Sequence, residues 1–160
     1  MLAQSLPTTS LYDRDYALWL EATIEQLRQQ DFDQVDWENV LDEFEAMSKR
    51  DRRSIESNLV ILLIHLLKWE FQPRMQSGSW KGSIREHRRR IQLILKDSPS
   101  LKSYVTNSLC EAYAEALAGA IDETGLDISM FPANCPYGIL NVLDPDFLPG
   151  SNAGLFHSGQ

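Results

Sequence analysis

Apolar residues recur at helical spacing through most of the chain, and the densest run lies between Arg53 and Gln72. One narrow stripe of that segment contains Ile55, Leu59, Leu62, Leu66 and Trp69, and most of the remaining circumference is occupied by Val60, Leu63, Ile64 and Leu67. A helix that is apolar on nearly all sides is a buried helix. Its unbroken apolar run, from Leu59 to Ile64, is too short to cross a membrane. The pattern therefore predicts the central helix of a soluble core.

The same periodicity predicts three further helices. The first predicted helix is capped by Asp13 or Asp15 and reaches about Gln30, and the second, a long helix, runs from about Trp37 to Gln72. The third runs from Trp80 or Ser83 to Asp97, and the fourth from Ser98-Pro99 to about Glu123. Asp36 suits the N-cap of the long helix, Pro73 stops it, and Gly125 suits a C-cap. The polar segment from Ser48 to Ser54 leaves open a kink or a break in the long helix.

The two N-terminal helices each carry an apolar stripe. These stripes are Tyr16, Trp19, Leu20, Thr23, Ile24 and Leu27 in the first helix, and Trp37, Val40, Leu41, Phe44 and Met47 in the second. The phase of the second stripe continues into Ile55 and Leu59, which favours one uninterrupted helix.

Beyond Leu126, prolines punctuate a segment that is too apolar for a disordered tail. We expect it to pack across the helices as an arm, with a short helix near Gly138 to Leu143. The predicted fold is all-α, a bundle of four main helices with one long central helix and this Pro-rich C-terminal arm. The predicted organisation is a flexible N-terminus (residues 1–10), a single helical domain (residues 11–149) and a flexible tail (residues 150–160).

Charge is segregated along the chain. Residues 1–48 carry eleven acidic and two basic side chains, residues 49–102 carry five and thirteen, and residues 103–160 carry seven and none. Either the acidic and basic parts neutralise each other within the fold, or the basic part faces an anionic partner. Two cysteines are too few for a disulfide framework, and the N-terminus does not resemble a signal peptide. We therefore expect a cytoplasmic protein that does not associate with a membrane.

The third predicted helix offers the best candidate binding surface. Its basic side chains, together with one from the preceding loop, are Arg74, Lys81, Arg85, Arg88 and Arg89. Arginines of this kind bind phosphates in nucleic-acid-binding proteins. Trp80 falls on the apolar stripe of the same helix, which favours a core position over base stacking. The alternative is that acidic residues elsewhere in the chain neutralise these cations.

A weaker candidate site lies on the central helix, where His65 and Lys68 belong to a polar strip next to Trp69. A histidine acting as general base needs a cleft and an orienting partner, and a buried hydrogen-bonded network accounts for the same pattern. His87, on the apolar stripe of the third helix, is interpreted as a core residue. The carboxylates of Glu38, Asp42, Glu43 and Glu45 lack the Glu-x-x-His pairs of a bundle metal centre. The sequence predicts neither a metal nor a cofactor.

Several short motifs together resemble one protein family. They are Tyr12-Asp13-Arg14-Asp15-Tyr16, Asp42-Glu43-Phe44-Glu45-Ala46-Met47, His65-Leu66-Leu67-Lys68-Trp69, Gln72-Pro73, Ser79-Trp80, Ser98-Pro99-Ser100-Leu101, Glu123-Thr124-Gly125-Leu126, Phe131-Pro132, Cys135-Pro136-Tyr137 and Leu143-Asp144-Pro145-Asp146-Phe147-Leu148-Pro149. In this order they are similar to domain of unknown function 29, a largely cyanobacterial family, from about Leu11 to Pro149. The family usually has isoleucine at the position of Phe44. The resemblance implies an all-helical bacterial protein without an agreed activity.

Three functions follow from these patterns. The leading interpretation is a non-catalytic protein-interaction or regulatory module, with an unidentified protein partner or self-association. The second is a nucleic-acid-binding or nucleic-acid-processing protein that uses the basic third helix. The third is an enzyme with a site around His65, Lys68 and Trp69.

Overall fold

The structure, a computed structural model, describes residues 10–150. These residues form six α-helices and no strand. The helices are α1 (Leu11–Arg14), α2 (Tyr16–Arg28), α3 (Trp37–Phe71), α4 (Gly78–Asp97), α5 (Lys102–Thr124) and α6 (Ile139–Leu143). Short 3-10 helices occupy Phe32–Gln34, Pro73–Met75, Pro99–Leu101 and Ile128–Met130. The all-α prediction is confirmed. Apart from Ser10 and Gly150, the predicted flexible ends lie outside the described residues.

Several helices start at side chains that satisfy unpaired backbone N–H groups. Asp15 caps α2, where its carboxylate accepts a bond from the Leu18 N–H at 3.0 Å. Asp36 caps α3 in the same way through the Asn39 N–H at 3.3 Å. Hydrogen bonds from the Asn39 side chain and N–H lower the pKa of Asp36. Both caps agree with the sequence.

α3 is continuous from Trp37 to Phe71, so no break interrupts residues 48–54. α4 begins at Gly78, earlier than the sequence predicts, because the Ser77 hydroxyl accepts a hydrogen bond from the Trp80 N–H at 3.3 Å. The predicted C-cap of α5 is confirmed. Gly125 adopts a left-handed conformation with φ of 67°, and its N–H donates to the Ile121 carbonyl at 2.8 Å.

The chain divides into two compact units, Met1–Ser48 and Lys49–Gln160. Their described parts are residues 10–48, here called the N-terminal unit, and residues 49–150, here called the C-terminal unit. The expectation of a single helical domain over residues 11–149 stays a prediction.

The core of the C-terminal unit surrounds the apolar half of α3. Its fully buried large side chains are Ile55, Leu59, Leu62, Leu63, Leu66 and Leu67 of α3, Ile84 and Ile91 of α4, Val105 of α5 and Val142 of α6. Small residues bring α5 close to α3, and a Cβ atom added at Gly119 would lie 2.7 Å from the Ile64 Cδ1 atom. The prediction of a central buried helix is confirmed.

The C-terminal arm, residues 126–149, belongs to this core. Phe131, Tyr137 and Val142 are buried in it. The Tyr113 hydroxyl donates to the Pro132 carbonyl at 2.6 Å, and the Tyr137 hydroxyl donates to the Glu70 carboxylate at 2.5 Å. The predicted packing of the arm is confirmed, and hydrogen bonds as well as apolar contacts hold it.

The N-terminal unit has a small core of Trp19, Val35 and Val40. The Tyr12 ring packs edge-on against the Trp19 ring, with their centroids 4.8 Å apart. The Tyr12 hydroxyl donates to the Glu43 carboxylate at 2.5 Å, and this bond is the main reason that the pKa of Tyr12 rises to about 12. Val40 and Glu43 therefore mark the side of α3 that this unit covers.

The structure buries only part of the two N-terminal stripes. Trp19, Thr23 and Val40 are buried, whereas large apolar residues of the same stripes are exposed, namely Tyr16, Leu20, Ile24, Trp37, Leu41, Phe44 and Met47. Two short helices cover one side of α3 within this unit, so the apolar pattern extends beyond the surface that the unit buries.

Candidate functional site

Four exposed basic residues of α4 fall into two groups. Arg89 forms two hydrogen bonds of 2.9 Å with the Glu86 carboxylate, and Arg90 forms a third of 2.8 Å. Arg89 and then Arg90 lower the pKa of Glu86 to about 2. Lys81 and Arg85 are exposed and have no ion-pair partner among residues 10–150. Of the binding residues that the sequence predicts on α4, Arg89 is therefore paired within the helix, whereas Lys81 and Arg85 are not.

Arg88 has a different role from its neighbours, because it is buried with 2% of its surface exposed. Its guanidinium donates to the carbonyl groups of Val142 at 2.7 Å, Phe147 at 2.7 Å and Pro145 at 3.4 Å. Burial lowers the pKa of Arg88, and the charges of Asp144 and Asp146 oppose that shift. Arg88 therefore attaches the C-terminal arm to α4.

The sequence contained a signal for this position. Arg88 lies four residues after Ile84 and three before Ile91, which places it within the apolar stripe of α4. The prediction that Arg88 belongs to the basic binding surface gives its charge more weight than this spacing.

A cleft of about 270 Å³ lies between the first half of α4 and the arm. This α4 cleft is lined by Gly78, Lys81, Gly82, Ile84, Arg85, Arg88, Pro145, Asp146 and Leu148. It unites three of the sequence-predicted binding residues, namely Lys81, Arg85 and Arg88. Arg89 is not among the residues that line it, and neither is Arg74, an exposed residue of the 3-10 helix after α3.

The candidate catalytic residues of α3 lie apart from this cleft. The Lys68 ammonium is 2.5 Å from the Glu123 carboxylate and 4.5 Å from the centre of the Trp80 ring. The His65 Nδ1 atom lies 2.9 Å from the Ile61 carbonyl of the preceding turn. Lys68 is therefore neutralised by Glu123, and His65 is oriented by its own helix. Trp69, the third residue of this candidate site, packs at the edge of the core.

His87 is partly buried and connects α4 to α3. Its Nδ1 atom lies 2.8 Å from the Asn58 Oδ1 atom, and the Asn58 amide donates in turn to the Ser54 carbonyl at 2.7 Å. Burial lowers the pKa of His87, and the nearby positive charges of Arg90 and His65 lower it further. The pairing of His87 with Asn58 was not predicted, because it joins two helices that are far apart in sequence.

We expect His87 to titrate below the ordinary histidine pKa of 6.5. Because the folded state resists protonation more than the unfolded state, the free energy of unfolding should decrease as pH falls below 6.5. An NMR titration of the imidazole measures the pKa directly. His87→Gln removes the titrating group. As pH is lowered from 7 to about 5, the free energy of unfolding of this variant should therefore fall less than that of the natural chain. A normal or raised pKa would contradict the prediction.

The acidic residues do not form a metal centre within the described part of the chain. Glu43 accepts hydrogen bonds from Tyr12 at 2.5 Å and from Tyr16 at 3.0 Å. A second cleft of about 170 Å³ contains Glu56, Glu111 and Glu115. Among residues 10–150, no group of three or more His, Cys, Asp or Glu side chains is arranged to hold a metal ion.

The N-terminal unit presents an exposed apolar surface, here called the Phe44 face. It consists of Trp37, Leu41, Phe44 and Met47 of α3, each between 46 and 62% exposed. Glu38, Asp42 and Glu45 are exposed along one side of it and follow the helical spacing of its apolar residues. The sequence contained this stripe, but periodicity alone does not tell whether a stripe is covered.

Comparison with known proteins identifies one family. The family model described as Domain of unknown function DUF29 matches residues 11–148. No curated protein matches the chain, and no solved structure matches it. Within residues 10–150, no helix combines the length and the apolar character that crossing a membrane requires.

Proposed function

The chain belongs to the DUF29 family. We propose that it is a non-catalytic interaction module that binds a basic amphipathic segment of another protein. The Phe44 face is the docking surface. The observation that carries the proposal is the exposure of Phe44 and Leu41, which are 62% and 59% accessible although they belong to an apolar stripe.

The composition and spacing of the Phe44 face support this function. Clustered apolar side chains on a surface commonly mark interaction sites. Trp37, Leu41 and Phe44 follow the i, i+4, i+7 spacing that helices use as anchors in partner grooves. Tryptophan is also enriched among the residues that dominate binding energy.

Charge selects the kind of partner. Glu38 and Asp42 are exposed carboxylates beside the face, and residues 1–48 carry a net charge of −9. A symmetric dimer through this face would bring two such acidic surfaces together, and like charges oppose association. Anionic lipid surfaces are disfavoured for the same reason. A helix with apolar residues on one side and Lys or Arg beside them complements both features.

The proposed partner binding is tested with a labelled amphipathic helical peptide of leucine and lysine, measured by fluorescence anisotropy. Phe44→Glu should weaken its binding to the full chain roughly tenfold or more, because hot-spot residues contribute about 2 kcal/mol or more. Ala46→Glu is the matched control, since it adds the same charge at an exposed position on the opposite side of α3. This control should bind the peptide almost as well as the natural chain.

Three results would overturn the proposal. Equal affinity of Phe44→Glu and Ala46→Glu for the peptide would mean that the Phe44 side chain makes no contact of its own with it. Equal binding of a peptide with the same composition in a scrambled, non-amphipathic order would mean that the face recognises no helix. A dimer, detected by light scattering and dissociated by Phe44→Glu, would identify a second copy as the occupant.

We place nucleic-acid binding second. It is supported by the exposed cations Lys81 and Arg85. The interior position of Arg88 and the pairing of Arg89 with Glu86 reduce the basic surface available to phosphates.

A cytoplasmic location in a bacterium remains part of the proposal, and two free cysteines, Cys110 and Cys135, are compatible with it.

A further inference from the structure

We propose that the α4 cleft binds a small organic phosphate, with the phosphate group between Lys81 and Arg85 and an apolar body against Ile84 and Leu148. This site lies in the C-terminal unit and is independent of the interaction proposed for the Phe44 face. The inference rests on the shape of the cleft wall, on the distribution of charge along α4 and on the lining supplied by the arm.

The shape of the wall depends on glycines. Gly78 and Gly82 are on α4, and a Cβ atom added to either would meet nothing within 4 Å. Packing therefore does not explain why position 82 is a glycine. A glycine in a helix interior also lowers stability by about 1 kcal/mol relative to alanine. Both glycines line the cleft, so its wall carries no side chain at these two positions.

The charge distribution favours an anion. Arg89 and Arg90, on the part of α4 away from the cleft, are paired with Glu86. Lys81 and Arg85, which line the cleft, have no ion-pair partner in residues 10–150. They are four residues apart and therefore on one side of the helix. A phosphate dianion can accept hydrogen bonds from both cations, because it has three strong acceptor oxygens.

The interior of the cleft adds a further positive charge. Arg88 is bonded to neutral carbonyl groups of the arm, so these bonds leave its charge in place. Asp146 supplies one carboxylate against three cations, and the lining as a whole stays positive. That carboxylate can accept a hydrogen bond from a hydroxyl group of the ligand.

The remaining lining limits the size and type of ligand. Ile84, Pro145 and Leu148 provide apolar contacts beside the cations. The volume of about 270 Å³ is just below the range of drug-sized pockets. A phosphate ester with a small apolar body fits these features better than inorganic phosphate, which makes no apolar contact, or a carboxylate, which carries less charge.

The test uses phenyl phosphate as the probe and isothermal titration calorimetry with the full chain. Phenyl phosphate should bind more tightly than inorganic phosphate, benzoate or phenol. Arg85→Ala should weaken its binding roughly tenfold or more, the effect of losing a hydrogen bond to a charged group. Lys96→Ala is the matched control, since it removes an exposed cation of the same helix away from the cleft, and it should change affinity less than about twofold.

A second variant separates binding from folding. Gly82→Leu places a side chain in the open wall, where its Cβ meets no neighbour. It should abolish detectable binding of phenyl phosphate while the melting temperature stays unchanged or rises, because leucine favours helix more than glycine does. Unchanged binding in Gly82→Leu would overturn the proposal, because the cleft would then not hold the ligand.

Two other results would also overturn it. If Lys96→Ala weakens binding as much as Arg85→Ala, the attraction is diffuse and the cleft forms no specific site. A single-stranded oligonucleotide without terminal phosphates is the second comparison. If it binds more tightly than phenyl phosphate, and if Arg85→Ala and Lys96→Ala weaken its binding equally, α4 is a nucleic-acid surface. None of these measurements involves Phe44, so failure here leaves the proposed protein interaction unaffected.

Discussion

Replacing Arg88 with methionine is expected to lower the free energy of unfolding by about 2–4 kcal/mol, because two strong hydrogen bonds from a charged donor are lost and each is worth about 1.5–3 kcal/mol. Methionine retains much of the apolar stem but donates no hydrogen bond. The carbonyls of Val142 and Phe147, each 2.7 Å from a guanidinium nitrogen, would lose their donors. Because Val142 is fully buried, its carbonyl is poorly placed to find water as a substitute.

Urea denaturation of the full chain measures the effect of Arg88→Met, and hydrogen exchange in residues 139–149 reports whether the arm is released. Arg90→Met is the control on the same helix, because Arg90 is exposed and bonded to Glu86. Exposed ion pairs contribute about 0–1 kcal/mol, so this variant should change stability little. Equal destabilisation by both variants would mean that the Arg88 hydrogen bonds do not secure the arm.

The second large effect is expected at Leu66, where substitution by alanine should cost about 2–5 kcal/mol. Leu66 has no exposed surface and lies at the centre of the C-terminal core. Its truncation removes apolar contacts and leaves a cavity that neighbouring helices fill only partly. Leu62, on the same stripe and equally buried, should behave in the same way.

Leu140→Ala provides a matched comparison, because it is the same chemical change at a side chain that is 77% exposed. Surface substitutions of this kind usually change stability by less than about 0.5 kcal/mol. Urea denaturation of both variants at equal protein concentration gives the two free energies. A cost below about 1 kcal/mol for Leu66→Ala would be outside the ordinary range for buried leucine and would contradict the assignment of the core.

Most of the candidate site required the folded chain. The sequence identified Lys81, Arg85 and Arg88 as cations of one helix, but the cleft also needs Pro145, Asp146 and Leu148 of the arm. Pro145, the first of these, lies 57 residues after Arg88 in the sequence. Helical periodicity relates near neighbours only, so it could not bring the two sides together.

The sequence alone determined the helices and many of their ends, because these depend on local physical chemistry. Apolar spacing marks the buried face of α3, Asp36 satisfies N–H groups at its start, and Gly125 adopts the left-handed conformation that ends α5. The central position of α3 also followed, since a segment that is apolar on nearly all sides must be buried. The apolar character of the arm likewise predicted its packing.

Only the tertiary structure decided how charged and apolar side chains are used. It made Arg88 an internal donor to the arm, paired Lys68 with Glu123, and left Lys81 and Arg85 without ion-pair partners in residues 10–150. It also left Phe44 exposed although its stripe continues in phase with buried residues. The physical reason is that burial and pairing depend on which surfaces meet in three dimensions, whereas helix formation depends mainly on residues within a few turns.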